Sequence, residues 1–380
     1  MPKLLTNIPK AAIIKLVIAW AVVAVFLAFG PTWLHDPFDP GVAVISFIVI
    51  FLTILLAAFG VVQEADWLAH RLGEPYGTLI LTISIVLIEV ILIAAVLLGP
   101  GENPTIGRDS IFAVMMIILN LVMGICLILG GRRYGEQEYN SQGAISYIAM
   151  TLLLAGIGLV LPNTLSTGDG TFWPAQAVAF SVLTIVLYGA FLLMQTRGYR
   201  RFFIQPETGS LVVPLPLQQT KASHTVTLDI PGIVTRSILL VALMLPIVLL
   251  SHDLALVVDF GINAIGAPIA LSGVIIAFIV FTPESITAIR AAMDNQLQRS
   301  INLCLGAFVS TVGLTIPAVL IVGLVTDKTV IMGVSTTETV LLLLTIGLTT
   351  LTFIGQRASA LQGTLHLALF AVFGVLLFLT

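Results

Sequence analysis

The stretch GTLILTISIVLIEVILIAAVLLG, residues 77–99, is apolar over the length of a membrane span and carries a single acid, Glu89, near its middle. An α-helix needs about 20 apolar residues to cross the hydrocarbon core of a bilayer. An ionised carboxylate at that depth costs at least about 2.5 kcal/mol, so an acid found there is a candidate for function. This stretch therefore predicts both a membrane fold and a site inside it.

The composition of the whole chain agrees with a membrane protein. Of its 380 residues, 58% are hydrophobic and only 9% are charged, against about 25% charged in ordinary soluble domains. Apolar runs separated by Gly, Pro and polar clusters predict eleven transmembrane helices, which we name M1 to M11. In order, they are predicted at residues 12–30, 41–62, 76–98, 110–130, 144–162, 174–196, 232–251, 267–290, 300–325, 338–356 and 362–380.

The few basic residues predict how the helices are oriented. With the N-terminus in the cytoplasm, eleven spans place all of the 16 Lys and Arg residues except Arg108 and Lys328 on the cytoplasmic side. Cytoplasmic loops of membrane proteins carry an excess of Lys and Arg. We therefore expect a multi-pass protein of the cell (inner) membrane with a cytoplasmic N-terminus and an external C-terminus.

M3 and M8 resemble each other and predict an inverted repeat. Glu89 follows Gly73 by 16 residues in M3, and Glu284 follows Gly266 by 18 residues in M8. Five helices per copy make the second copy enter the membrane from the opposite side, as in many secondary transporters. The predicted fold is all-α, with M1 followed by two inverted five-helix repeats. Its divisions are M1 in residues 1–35, M2–M6 in 36–196, a cytoplasmic linker in 197–231 and M7–M11 in 232–380.

The helix after each acid extends the correspondence. Ser110 opens M4 and Ser300 opens M9, and ten residues later each helix has a polar residue, Asn120 or Ser310. Thr82 precedes Glu89 by two helical turns on the same face. Pro283 lacks a backbone donor, and this frees a carbonyl one turn earlier in M8.

Two carboxylates at mid-membrane predict exchange of cations for protons. Desolvation and like-charge repulsion disfavour an empty site with both acids ionised, so protons or a cation must occupy it. Glu89, Glu284, Asn120, Ser310 and Thr82 are the predicted cation- and proton-binding residues. Ca²⁺ takes six to eight oxygen ligands, and Na⁺ or K⁺ would accept a subset of them.

Acidic residues at the helix ends form a second predicted group. Glu64 and Asp66 close M2, and Asp253 and Asp259 follow M7. They predict an access funnel for cations on each side, with ordinary interfacial polarity as the alternative. His366 is a candidate proton relay, with a structural role as the alternative, and the threonines around Thr345 favour helix packing.

Other function classes fit less well. A channel would need a continuous polar stripe, whereas each acid here is isolated in its helix. The chain has no HExxH motif and no Ser/His dyad at span depth, so we predict that it is not an enzyme and holds no cofactor. Its predicted partners are the lipid bilayer, metal cations and protons, with no nucleic acid. The sequence is compatible with a homo-oligomer and does not decide the oligomeric state.

Four stretches resemble bacterial ChaA-type antiporters of the calcium/proton exchanger (CAX) family, in the cation/calcium exchanger superfamily. They are RLGEPYGTLILTISIVLIEV (71–90), FTPESITAI (281–289), NQLQRSINLCLGAFVSTVGLTIP (295–317) and HLALFAVF (366–373). The resemblance implies eleven helices in two repeats, with essential acids at Glu89 and Glu284 and the following polar residues at Asn120 and Ser310. It also implies export of Ca²⁺, Na⁺ or K⁺ driven by inward proton flow.

The chain departs from the wider family just before each acid. Many relatives carry Gly-Asn-x-x-Glu, whereas this chain has no Gly-Asn ahead of either acid, and the residues directly before its glutamates are Leu87-Ile88 and Thr282-Pro283. Fewer amide ligands leave Ca²⁺ preference open. The predicted function is an antiporter that exchanges cytoplasmic Ca²⁺, with Na⁺ or K⁺ as further candidate ions, for protons by alternating access. The alternative is an antiporter selective for Na⁺ or K⁺ that transports little Ca²⁺.

Overall fold

The part of the chain that the structure describes forms a helical bundle, with eleven helices long and apolar enough to cross a membrane. The computed structural model describes residues 9–35, 39–72, 76–99, 103–165, 168–206 and 230–379. Within them, M1 to M11 are Lys10–Trp33, Pro40–Leu72, Tyr76–Leu97, Ile106–Tyr134, Ser141–Thr164, Pro174–Thr196, Ile230–Ile265, Leu271–Met293, Leu297–Thr326, Thr336–Phe353 and Ala360–Leu379. This confirms the predicted number of spans. A short 3₁₀ turn, Arg200–Phe203, follows M6.

M2 and M7 are longer than the sequence predicted. They have 33 and 36 residues, where the prediction ended them at 62 and 251. Those boundaries were wrong because the apolar runs end there, whereas both helices continue through polar residues. At 1.5 Å per residue each is about 50 Å long, which exceeds the hydrocarbon core of about 30 Å. The two helices pack along each other.

Among the described residues, three spans contain π-helical segments. M4 is π-helical at Met116–Val122, M5 at Gly156–Val160 and M9 at Thr311–Thr315. M5 then ends in a 3₁₀ turn, Leu161–Thr164. Such wide turns are rare, shift the register of the side chains that follow them, and occur often at functional sites. Two of the three lie at corresponding places in the two repeats, at Asn120 and directly after Ser310.

Contacts between turns define the two ends of the bundle. At one end, strand β1 (Gln137–Glu138) after M4 pairs antiparallel with strand β2 (Arg357–Ala358) after M10. Gln137 also donates to the carbonyl of Ala292 at the end of M8, at 2.9 Å. We call this the arginine-rich end, because Arg132, Arg133 and Arg357 lie in its turns. At the opposite end, the backbone after M9 bonds to the segments before M4 and M6, including Ile331 N–H to Pro104 O at 2.9 Å. These contacts agree with eleven alternating spans.

The two repeats contact each other through their acid-bearing helices. M3 of the first repeat packs against M9 of the second, and M8 of the second packs against M4 of the first. M3 and M8 begin at opposite ends of the bundle, as inverted repeats require. Gly73, from which the spacing to Glu89 was counted, and most of the predicted linker, 207–229, lie outside the described residues.

Candidate functional site

Glu89 is fully buried in M3 and is held by M9 of the other repeat. Its Oε2 atom accepts hydrogen bonds from the hydroxyls of Thr315, at 2.6 Å, and Thr311, at 3.2 Å. The two threonines are four residues apart across the π-helical segment, which turns both toward M3. The other oxygen, Oε1, is buried without a hydrogen-bond partner among the described residues. One half of the carboxylate is therefore fixed and the other half is free to bind.

Glu284 lies in M8 within electrostatic range of Glu89. Its Oε2 atom is also buried without a partner in the described part of the chain. Pro283 lies inside a continuous helix, and the hydroxyl of Thr287 donates to the carbonyl of Pro283 at 3.0 Å. The Thr282 hydroxyl bonds back to the carbonyl of Phe278 and so points along its own helix. Glu284 thus reaches the bundle interior without a partner on its own helix.

A cavity of about 220 Å³ connects three of the predicted ligands. Thr82, Glu284 and Ser310 all line it. Tyr188 of M6 also lines it, with its hydroxyl close to those of Thr82 and Ser310. Gly313 of M9 allows this ring to approach, because a Cβ there would lie 3.0 Å from two carbons of Tyr188. Thr82, which is on the M3 face that carries Glu89, therefore lies beside Glu284, and its cation-binding role remains a prediction.

Asn120 is fully buried and its amide is bound to M10 and M11. Its Nδ2 donates to the hydroxyl of Thr345 at 3.0 Å, and its Oδ1 lies 3.2 Å from Nδ1 of His366. An amide oxygen only accepts, so Nδ1 of His366 carries a proton. Nε2 of His366 lies 3.0 Å from the hydroxyl of Thr352. The structure thus brings Asn120 into a polar cluster with His366, and a cation-binding role for Asn120 remains a prediction.

The acids of the predicted access funnels have different environments. Glu64 is buried, and both of its oxygens accept from Arg236 of M7, at 2.9 and 2.7 Å. Asp66 is exposed, with His70 at 3.7 Å. Asp253 and Asp259 are half-buried within M7 itself, beyond its predicted end. Because both oxygens of Glu64 are bonded to Arg236, the funnel prediction rests on the three aspartates, Asp66, Asp253 and Asp259.

Sequence reasoning missed the residues that contact Glu89. Thr311 and Thr315 belong to a helix already singled out for Ser310, but hydroxyl residues are common at helix contacts in membranes. Their i, i+4 spacing gave the one usable signal, since it places both on one face. Tyr188 had no such signal, because it is one of several aromatic residues in an apolar run.

The arrangement suits an ion that is bound and released. Within the described residues, no three His, Cys, Asp or Glu side chains converge on one point. A cation here would therefore bind the two glutamates together with hydroxyl and carbonyl oxygens. Two unpartnered carboxylate oxygens in the interior are costly unless protonated or bound to a cation.

Sequence comparison places the chain in a transporter family. The family described as "Sodium/calcium exchanger protein" matches residues 42–197 and 236–379. The chain is 37% identical over 320 residues to the protein y4hA of Sinorhizobium fredii, whose name describes an ionic transporter, covering 83% of this chain and 84% of y4hA. It is 31% identical over 325 residues to the sodium-potassium/proton antiporter ChaA of Escherichia coli, covering 86% of each.

Solved structures share the fold. The structure of native YfkE aligns with a TM-score of 0.72 at 18% identity, covering 96% of this chain and 100% of YfkE. The H⁺/Ca²⁺ exchanger CAX aligns with a TM-score of 0.66 at 15% identity, covering 96% of this chain and 89% of CAX. The protein is thus a multi-pass membrane transporter, not an enzyme, and it belongs to the sodium/calcium exchanger protein family.

Proposed function

We propose that the protein is a secondary active antiporter that exchanges a cytoplasmic cation for protons at a site formed by Glu89 and Glu284. The observation that carries the proposal is a pair of carboxylates from opposite repeats, each with one buried oxygen that has no partner among the described residues. The name of the relative ChaA, a sodium-potassium/proton antiporter, supports the same reaction.

The coupling of cation transport to proton transport follows from which charge states of the two acids are low enough in free energy to be populated. With both protonated, or with a cation bound between them, the buried site is close to neutral. With both ionised and empty, it suffers desolvation and like-charge repulsion at once. Because the empty charged state is costly, the site changes sides loaded with protons or with a cation. Alternating access moves one repeat relative to the other around this fixed site.

The transported cation is Ca²⁺, Na⁺ or K⁺. Two carboxylates balance one Ca²⁺, and the hydroxyls of Thr82, Ser310, Thr311 and Thr315 add neutral oxygens. The names of relatives point in both directions, since ChaA is a sodium-potassium/proton antiporter and the protein of Aphanothece halophytica is a Ca²⁺/H⁺ antiporter, 24% identical over 289 residues. A Na⁺- or K⁺-selective antiporter is the second candidate, favoured by the missing Gly-Asn before each acid.

We propose that the protein lies in the cell membrane with its arginine-rich end facing the cytoplasm. The turns at this end contain Arg132, Arg133 and Arg357, and the excess of basic residues on the cytoplasmic side is the general rule. The N-terminus is then cytoplasmic and the C-terminus external. Protons flowing inward would drive the cation outward.

Everted membrane vesicles test this proposal. They are energised to build a pH gradient and then given NaCl, KCl or CaCl₂ separately. We expect at least one cation to collapse the gradient with the wild-type chain, and none to do so with Glu284→Gln. The exposed acid Glu136, changed to Gln, is the matched control and should behave like wild type. Full exchange by Glu284→Gln would overturn the proposal.

A further inference from the structure

One face of M9 lines the cavity from its Glu284 end to its mouth. Arg299, Asn302, Gly306 and Ser310 of M9 all line it, and their spacing of three to four residues places them along one side of the helix. Arg299 and Ser310 are eleven residues apart, which is about 16 Å along the helix axis. The cavity is therefore a path, with Ser310 and Glu284 at its inner end.

Arg299 lies at the arginine-rich end of this path. It is exposed in the first turn of M9, directly after the 294–296 turn. Its neighbour Asn302 donates to the carbonyl of Phe203, in the 3₁₀ turn after M6, at 2.6 Å. Further in, Gln195 donates to the hydroxyl of Tyr147 at 2.6 Å. The mouth of the path is thus at the surface. Between Arg299 and Glu284 its walls carry no charge and combine these polar groups with apolar side chains such as Leu81, Ile85 and Leu192.

Only two charged side chains line the cavity among the described residues, and they have opposite signs. Glu284 attracts cations at the inner end, and Arg299 repels them at the mouth. A positive charge at the mouth of a cation path is the opposite of what speeds cation entry. Arg299 must therefore have a role other than attracting cations to the path.

We propose that Arg299 sets the ion preference of the exchanger by disfavouring divalent cations at the mouth more strongly than monovalent ones. This inference rests on the proposed function and deepens it. A local electrostatic potential acts on an ion in proportion to its charge. The occupancy of the mouth by Ca²⁺ is therefore reduced by the square of the factor that applies to Na⁺ or K⁺. The guanidinium thereby biases the path toward monovalent cations without contacting the bound ion.

The expected size follows from a single charge near a wet surface. At low ionic strength, one guanidinium several ångströms from the ion changes the local concentration of a monovalent cation about twofold. The corresponding change for a divalent cation is about fourfold. This square relation distinguishes a charge effect from a change in the shape of the cavity, because a shape change would not make the factor for Ca²⁺ the square of the factor for Na⁺.

The test compares Arg299→Gln with the wild-type full-length chain in everted vesicles. The measured quantities are the half-saturating concentrations of Na⁺ and Ca²⁺ for collapse of the pH gradient; if Ca²⁺ is not exchanged, its inhibition of Na⁺ exchange is measured. Arg299→Lys keeps the charge and should resemble wild type. Arg290→Gln removes an exposed charge from the end of M8, away from the cavity lining, and should also resemble wild type.

At low ionic strength, we expect Arg299→Gln to lower the half-saturating concentration about twofold for Na⁺ and about fourfold for Ca²⁺. Both changes should shrink near 1 M choline chloride, where the Debye length is only about 3 Å. Equal changes for the two ions, no change, or a change that persists at high salt would overturn the inference. A wild-type chain that exchanges no cation would instead refute the proposed function.

Discussion

Replacing Thr315 by valine removes the shorter of the two hydrogen bonds that hold Glu89, while the shape of the side chain is kept. The Thr315 hydroxyl lies 2.6 Å from Oε2 of Glu89, in the range of O–H···O⁻ bonds to a charged acceptor. A hydrogen bond to a charged group contributes about 1.5–3 kcal/mol. Cation binding requires ionised Glu89, which this bond stabilises. We therefore expect the apparent cation affinity to fall about 10- to 150-fold.

Thr311 provides an internal comparison for this prediction. Its hydroxyl lies 3.2 Å from the same oxygen, beyond the usual 2.5–3.0 Å for O–H···O bonds. Thr311→Val should therefore weaken apparent affinity far less, about twofold. Thr315→Ser keeps the hydroxyl and should stay close to wild type. The assay is the half-saturating concentration for collapse of a pH gradient in vesicles. An unchanged value for Thr315→Val, or a larger effect of Thr311→Val, would refute the reasoning.

Two further predictions concern the stability of the bundle in detergent, measured as the midpoint of thermal unfolding. Arg236→Met removes the two hydrogen bonds that pair the buried Glu64, whose other nearby charge is Lys15. Breaking a buried ion pair costs about 3–5 kcal/mol, so the midpoint should fall clearly. Adding Glu64→Leu should recover most of that loss, and a double variant as unstable as the single one would contradict a direct pairing. His366→Ala removes a hydrogen-bond partner from the buried Asn120 amide oxygen and from the buried Thr352 hydroxyl and should cost about 1–3 kcal/mol, whereas His366→Gln retains a donor and an acceptor. Equal loss in both variants, or as much loss in the exposed His70→Ala, would contradict this.

The sequence predicted the helices well because each apolar run must satisfy its backbone hydrogen bonds within the membrane. It was poorer at helix ends. M2 and M7 continue past Glu64 and Asp253, because packing against each other stabilises helix beyond the apolar run. Hydropathy contains no information about such packing. The π-helical segments at Asn120 and Thr311 were also missed, since no residue type marks them.

The same limit applies to the site. Glu89 and Glu284 stand out from sequence because a lone acid in an apolar helix is costly. Their neighbours do not, because the direction of a threonine depends on helix register and on contacts between repeats. Thr82 illustrates this, since the sequence does not indicate that this side chain of M3 lines the cavity beside Glu284 of the other repeat.

The central claim is that Glu89 and Glu284 form one shared site for cations and protons. Calorimetric titration of the purified protein with its transported cation, in buffers of different ionisation enthalpy, measures the protons released on binding. We predict that the wild-type chain releases protons as the cation binds, and that Glu89→Gln and Glu284→Gln each lose both cation binding and proton release. Unchanged binding with full proton release in either variant would contradict the claim.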